Sequence, residues 1–232
     1  MARARKHEIS RLEAFSDAVF AFALTLLVVS LEAPKSYHDL MVMVRGFLPF
    51  ACCFALLVWI WYEHSGFFAR YALHDRTTVV LNSALLFVVL FYVYPLKYVF
   101  TLTFAIFIPE LRHEGGPQSP GEIVRLFAIY GLGFVAVFTV MALLYCQAWR
   151  RRDEIGLTAI EARDARGEIG TQLTSVAVGV TSVLWALLMP AGVNAFAGFV
   201  YFLMGPAHWA YGEWNGRQRQ AFLNARGAAA HR

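Results

Sequence analysis

The chain has 232 residues, 59% of them apolar, 16% aromatic and 16% charged, with a mean hydropathy of +0.52. A soluble single-core domain carries about a quarter charged residues, so that class is excluded. The net charge of +4 and pI near 9.1 would suit nucleic acid, but the basic residues sit in short segments between long apolar blocks, not on one patch, so nucleic acid is not expected as a partner.

Six apolar blocks follow in chain order, at 14–31, 46–62, 77–98, 123–149, 169–189 and 191–211. Each is near the ~20 residues of helix that cross a hydrocarbon core of about 30 Å. None alternates with period two, and a helix satisfies every backbone N–H and C=O within its own segment. The expected fold is therefore an all-α integral membrane protein with six transmembrane helices. Residues 1–215 are read as one transmembrane domain, and residues 216–232 as a disordered cytoplasmic tail.

The start of the chain is basic, with Arg3, Arg5 and Lys6. A cleaved signal is rejected, because the first apolar stretch contains Asp17 and Thr25, meets charge at Glu32 and Lys35, and lacks a small-residue cleavage site. Projected at about 100° per residue, the first block separates into two neighbouring stripes. Phe15, Val19, Phe22, Leu26 and Val29 form a bulky apolar stripe; Ala14, Asp17, Ala18, Ala21, Thr25 and Val28 form a narrower one of small or polar residues. Small residues favour close helix packing, which predicts that the narrow stripe packs and the bulky one is presented elsewhere. A carboxylate inside a span costs about 2.5–3.5 kcal/mol on insertion scales, so Asp17 needs water or a partner. Arg11 lies six residues earlier, roughly 9 Å along the axis. That is too far for a direct bond on one helix, so a second helix is expected to tie the two, with His64 of the second block at comparable depth.

In the third block, Asn82 is expected to cap or bridge helices, and Pro95-Leu96-Lys97 is an internal punctuation mark roughly 30 Å of helix from Thr77, so that Lys97 reaches the outer headgroups. The continuation 99–108 then reads as an interfacial or pore-mouth element, and 109–121, with Gly115, Gly116, Pro117 and Pro120, as the clearest outer loop. Between the fourth and fifth blocks, 150–168 mixes Arg with Asp and Glu and is expected to form a short, solvated cytoplasmic helix. Asn194 of the sixth block is likewise an amide expected to cap or bridge helices. Cys52, Cys53 and Cys146 all lie within apolar blocks, where an odd count suits packing, not a disulfide framework. Trp59, Trp61, Trp149, Trp209 and Trp214 fall near block ends, as an interfacial belt does.

If the blocks alternate across the membrane, one side receives fifteen basic residues and the other five, namely Lys35, Arg45, Lys97, Arg112 and Arg125. The positive-inside rule then places both termini in the cytoplasm of a cell whose plasma (inner) membrane holds this multi-pass chain. His38-Asp39, Glu63-His64, His74-Asp75 and His113-Glu114 have no metal-ligand spacing, and no phosphate-binding or nucleophile motif is present. No enzyme and no cofactor is expected.

The run Arg11-x-x-x-Phe15-Ser16-Asp17 followed by Ala-Val-Phe-Ala-x-x-x-Thr25-Leu-Leu-Val resembles the signature of the transmembrane protein 175 family of potassium channels, in its prokaryotic single-repeat form. Trp61-x-x-His64, Asn82 and Pro95 extend the likeness more loosely. The resemblance implies a homotetramer in the bilayer with K+ as the permeant ion and a pore lined by the first helix of each subunit. Its hydrophobic constriction would fall on Phe22, Leu26 and Val29, its hydroxyl layer on Thr25, and its helix-locking polar network on Arg11, Ser16, Asp17 and His64, with Trp61 beside them. Where the family's first ring is usually aliphatic, Phe22 sets four phenyl rings that would either close the path at rest or rotate aside. No Thr-Val-Gly-Tyr-Gly loop occurs, so K+ over Na+ selectivity is expected to be modest and gating to occur by dewetting. The competing reading is a proton-coupled secondary transporter titrating Asp17 and His64; neither the internal repeat nor the paired helix breaks typical of that class is visible.

Overall fold

The computed structural model describes residues 10–30, 33–71, 73–111, 119–190 and 192–230, and every regular element among them is helical. The N-terminal basic residues Arg3, Arg5 and Lys6, the loop residue Arg112 and the pair His113-Glu114 lie outside the described residues. The helices are α1 (Arg11–Val29), α2 (Tyr37–Arg45), α3 (Phe47–Arg70), α4 (Arg76–Phe104), α5 (Pro120–Arg150), α6 (Ala159–Leu188) and α7 (Met204–Ala230), with 3₁₀ runs at Pro109–Leu111 and Asn194–Leu203.

Five of them, α1, α3, α4, α5 and α6, are long and apolar enough to cross a membrane. At nine residues, α2 is about 13 Å long and cannot. The sixth apolar block folds in two pieces, the second 3₁₀ run and the start of α7. The ten-residue 3₁₀ run rises about 20 Å, and the eight residues of α7 up to Tyr211 add about 12 Å, together matching the hydrocarbon thickness.

Helix ends follow local chemistry. Ser10, Asp75, Ser119 and Thr158 each accept a backbone N–H from the first turn of α1, α4, α5 and α6. Thr158 and Glu161 form a full capping box. The α5–α6 hairpin is the most intimate pair, because Gly179 leaves no room beyond its Cα: a Cβ there would come within 2.8 Å of Val135 and 2.9 Å of Phe134. From this hairpin the packing runs through α4 to α1 on one side and to α7 on the other, with α3 closing against α1 and α4. Polar pins inside the bundle include the Tyr92 hydroxyl donating to the Tyr130 carbonyl at 2.6 Å and Gln172 Nε2 donating to Glu63 Oε2 at 2.9 Å.

Three expectations are corrected. Pro95 does not punctuate the helix: α4 runs through it to Phe104, so most of 99–108 continues the same helix. Lys97 donates to the carbonyl and the hydroxyl of Ser30, at 2.7 and 3.0 Å, where the C-terminus of α1 presents acceptors that the helix leaves unpaired. The segment 150–168 is not a separate short helix: a turn through 151–156 is followed by the first three turns of α6. Residues 216–230 are not disordered but continue α7, held to α6 where Arg219 binds Asp164 at 2.8 Å.

Candidate functional site

The site is built on α1. One face of this helix is fully engaged with its own subunit: Glu13, Ser16, Phe20, Ala23 and Leu27 are buried at i, i+3, i+7, i+10 and i+14. The opposite face is bare. Arg11, Ala14, Phe15, Ala18, Ala21, Phe22, Thr25, Val28 and Val29 are exposed, and on a helical projection they centre about 180° from the buried seam. Phe22 is 56% and Val29 68% exposed, and Leu26 is half-buried beside them. The small-residue stripe is therefore not the seam that packs within the subunit; it lies on the bare face with the bulky one, and the packing falls to a third face.

Two polar links fix the rotation of α1. The first begins at Ser16, which donates to the Leu12 carbonyl at 2.8 Å and accepts from Asn82 Nδ2 at 2.9 Å. The carbonyl oxygen of that amide then faces His64 Nε2 at 2.7 Å. An amide oxygen only accepts, so Nε2 is the donor. His64 Nδ1 is buried with no hydrogen-bond partner among the described residues. The imidazole is wholly buried, between the rings of Phe20 and Phe68 at 5.3 and 4.8 Å. The second link is Trp61 Nε1 donating to Asp17 Oδ1 at 2.8 Å.

The residues read as one network thus divide. Ser16 and His64 meet through Asn82, whereas Asp17 is held by Trp61; Arg11 is exposed and makes no hydrogen bond or ion pair among the described residues. Asn82 emerges as the centre of the site, joining α1, α3 and α4. Two features escaped the sequence reading. Glu13 is buried, which the capping pattern Ser10-x-x-Glu13 foreshadows. The Lys97 clamp on Ser30 had no local signal at all, its partners being 67 residues apart. Thr25 turns its hydroxyl back to the Ala21 carbonyl at 2.9 Å while its outer surface stays exposed.

Comparison with known proteins bears on this helix directly. The family model described as endosomal/lysosomal potassium channel TMEM175 matches residues 11–92, a range that holds every residue of both polar links and of the bare face. A potassium channel of Marivirga tractuosa is 36% identical over 229 residues, covering 94% of this chain and 92% of that protein. A potassium channel of Streptomyces collinus is 28% identical over 198 residues, covering 80% of this chain and 88% of its own length. Among solved structures, a threonine-to-alanine variant of the potassium channel MtTMEM175, crystallised with a nanobody fusion, superposes with a TM-score of 0.78 at 35% identity, over 92% of this chain and 96% of that one.

Proposed function

The chain belongs to the TMEM175 family of potassium channels, and from that premise we propose that four copies surround a K+-permeable path lined by the bare face of α1. The observation that carries this reading is the disposition of α1: Phe22, Thr25 and Val29 point away from their own bundle, while Ser16, Phe20, Ala23 and Leu27 lock the other face to it. An exposed apolar stripe on a helix held so firmly needs a neighbour. Four such stripes around an axis would set rings at Phe22, Leu26 and Val29, about one turn apart, with the Thr25 oxygen between the first two. Such rings gate by excluding water, and their width with a few oxygens gives modest preference among cations.

Within this assembly Arg11, bare at the start of α1, would face the adjacent copy. The placement is a plasma (inner) membrane with both termini in the cytoplasm, following the fifteen-to-five division of basic residues.

Purified protein reconstituted in liposomes tests the proposal. A K+ gradient alone is expected to drive cation flux, and cross-linking in detergent to stop at four copies. Replacing Leu26→Asn is expected to hydrate the constriction and raise flux several-fold in an assembled tetramer. Unchanged flux would remove Leu26 from the path; a monomer would remove the path itself. Flux that appears only with a proton gradient would instead favour the carrier using Asp17 and His64.

A further inference from the structure

The turn after α5 and the first turns of α6 hold five arginines, Arg150, Arg151, Arg152, Arg163 and Arg166, and five carboxylates, Asp153, Glu154, Glu161, Asp164 and Glu168. By composition these charges cancel. In space they are sorted. Glu161, Asp164 and Glu168 recur on one face of α6, and Arg163 and Arg166 lie on roughly the opposite face.

Four of the five carboxylates are committed elsewhere. Glu161 accepts from the Thr158 N–H at 2.7 Å, Asp164 from Arg219 at 2.8 Å and Glu168 from Arg70 at 2.7 Å. Glu154 pairs with Arg151 at 3.1 Å. The basic face keeps its charge. Arg163 donates only to the neutral Asn215, at 2.6 and 2.9 Å, and Arg166 is exposed with no hydrogen bond or ion pair among the described residues.

These arginines converge on one aromatic ring. The guanidinium carbons of Arg152 and Arg166 lie 4.8 and 4.7 Å from the centre of the Trp149 indole. Together with Arg163 and Phe222 of α7 they line a cleft of about 510 Å³ against the first turn of α6. That turn adds the positive end of a thirty-residue helix. Asp153 is the one carboxylate among the described residues of the lining; its side chain is 87% exposed and stands 3.6 Å from Arg152.

Depth identifies what the cleft meets. Trp149 closes the apolar part of α5, and Arg166 stands three residues, about 4.5 Å, before Ile169, where the apolar part of α6 begins. The headgroup layer of one leaflet is about 5–7 Å deep. The cleft therefore opens in that layer, with guanidinium donors whose planar fork matches phosphate oxygens.

We propose that this cleft binds the phosphate of an anionic phospholipid headgroup, with Arg152 and Arg166 as its donors and Trp149 at the boundary with the acyl chains. The inference goes beyond ion conduction and needs only the membrane placement of α5 and α6, so its failure would leave the channel reading untouched. Native mass spectrometry of the full-length protein, titrated with phosphatidylglycerol and separately with phosphatidylcholine, tests it. Wild type is expected to retain phosphatidylglycerol preferentially. Arg166→Gln should weaken that retention about fivefold and Arg152→Gln with Arg166→Gln about thirtyfold, with phosphatidylcholine retention unchanged. Arg217→Gln, at an exposed arginine of α7 that is not part of the lining, should leave both unchanged. Equal retention in the Arg166 variant, or an equal loss in Arg217→Gln, would overturn the proposal, as would displacement of the lipid by equimolar glycerol phosphate, which would assign the cleft to a soluble anion. Arg166 makes no hydrogen bond or ion pair among the described residues, so the single variant decides the matter even if the double variant is unstable.

Discussion

Asn82 joins three helices with one amide, receiving from His64 of α3 and giving to Ser16 of α1. Replacing it with Leu keeps the size but leaves His64 Nε2 without an acceptor in a fully buried site. Unsatisfied buried donors cost about 1–3 kcal/mol, so Asn82→Leu is expected to lower the thermal midpoint in detergent by several degrees and loosen the rotation of α1. A midpoint equal to wild type would mean that apolar packing alone sets that rotation. This residue also marks the limit of what could be read without coordinates. The sequence offered Asn82 as a helix cap or bridge and Asp17 as a carboxylate needing water or a partner, because a charged group in an apolar block carries its own cost; His64 entered by its comparable depth, and Ser16 only through the family resemblance. Which groups meet was not legible: the bonds span 66 and 18 residues. The Asp17 partner proved to be Trp61, whose ring otherwise reads as belt.

At the scale of elements, hydropathy placed the spans because lipid imposes length and polarity directly. The ends were harder. Pro95 is a stop signal in water, yet α4 carries it within the helix, as transmembrane helices tolerate. The 3₁₀ run at Asn194–Leu203 has no sequence signature distinct from an α-helix. It is stabilised by tertiary pins such as the Ser182 hydroxyl donating to the Ala197 carbonyl at 2.9 Å. The Lys97 clamp belongs to this scale too, since it ties the end of α1 to α4 by a charged donor on otherwise orphan acceptors. Lys97→Met keeps the stem and removes the charge. Loss of hydrogen bonds to a charged group costs about 1.5–3 kcal/mol, so the variant is expected to fray the last turn of α1. That turn carries Val29, so cation flux in liposomes should change while the yield of folded protein is kept. Flux identical to wild type in an equally stable variant would separate the end of α1 from conduction.

Across the whole molecule, ion pairs gather at the Arg-rich end. Arg70 with Glu168, Arg151 with Asp75 and Arg219 with Asp164 tie α3 to α6, the α5–α6 turn to the start of α4, and α7 to α6. Asp75 stands at the middle of this girdle, capping α4, accepting from Thr78 Oγ1 at 2.5 Å and Gln147 Nε2 at 3.2 Å, and facing Arg151 at 3.4 Å. Burial works against its charge more than any single contact favours it, but the Thr78 hydroxyl, the Arg151 guanidinium and the N–H groups of Thr77 and Thr78 together hold its carboxyl below the ordinary value. A carboxyl depressed on folding binds fewer protons than in the unfolded chain. Its contribution is therefore complete above the unfolded value near pH 4, and is lost as pH falls through the lower folded one. Wild-type protein in detergent is expected to hold a level thermal midpoint from pH 7 to about 5 and to lose stability below pH 4. Asp75→Asn keeps a capping oxygen but cannot titrate. It should start from a lower midpoint at pH 7 and fall less steeply in acid, so that the two curves converge. Parallel curves through the acid range would show that Asp75 does not govern the closure of this end, and that the acid response comes from the other carboxylates of the girdle.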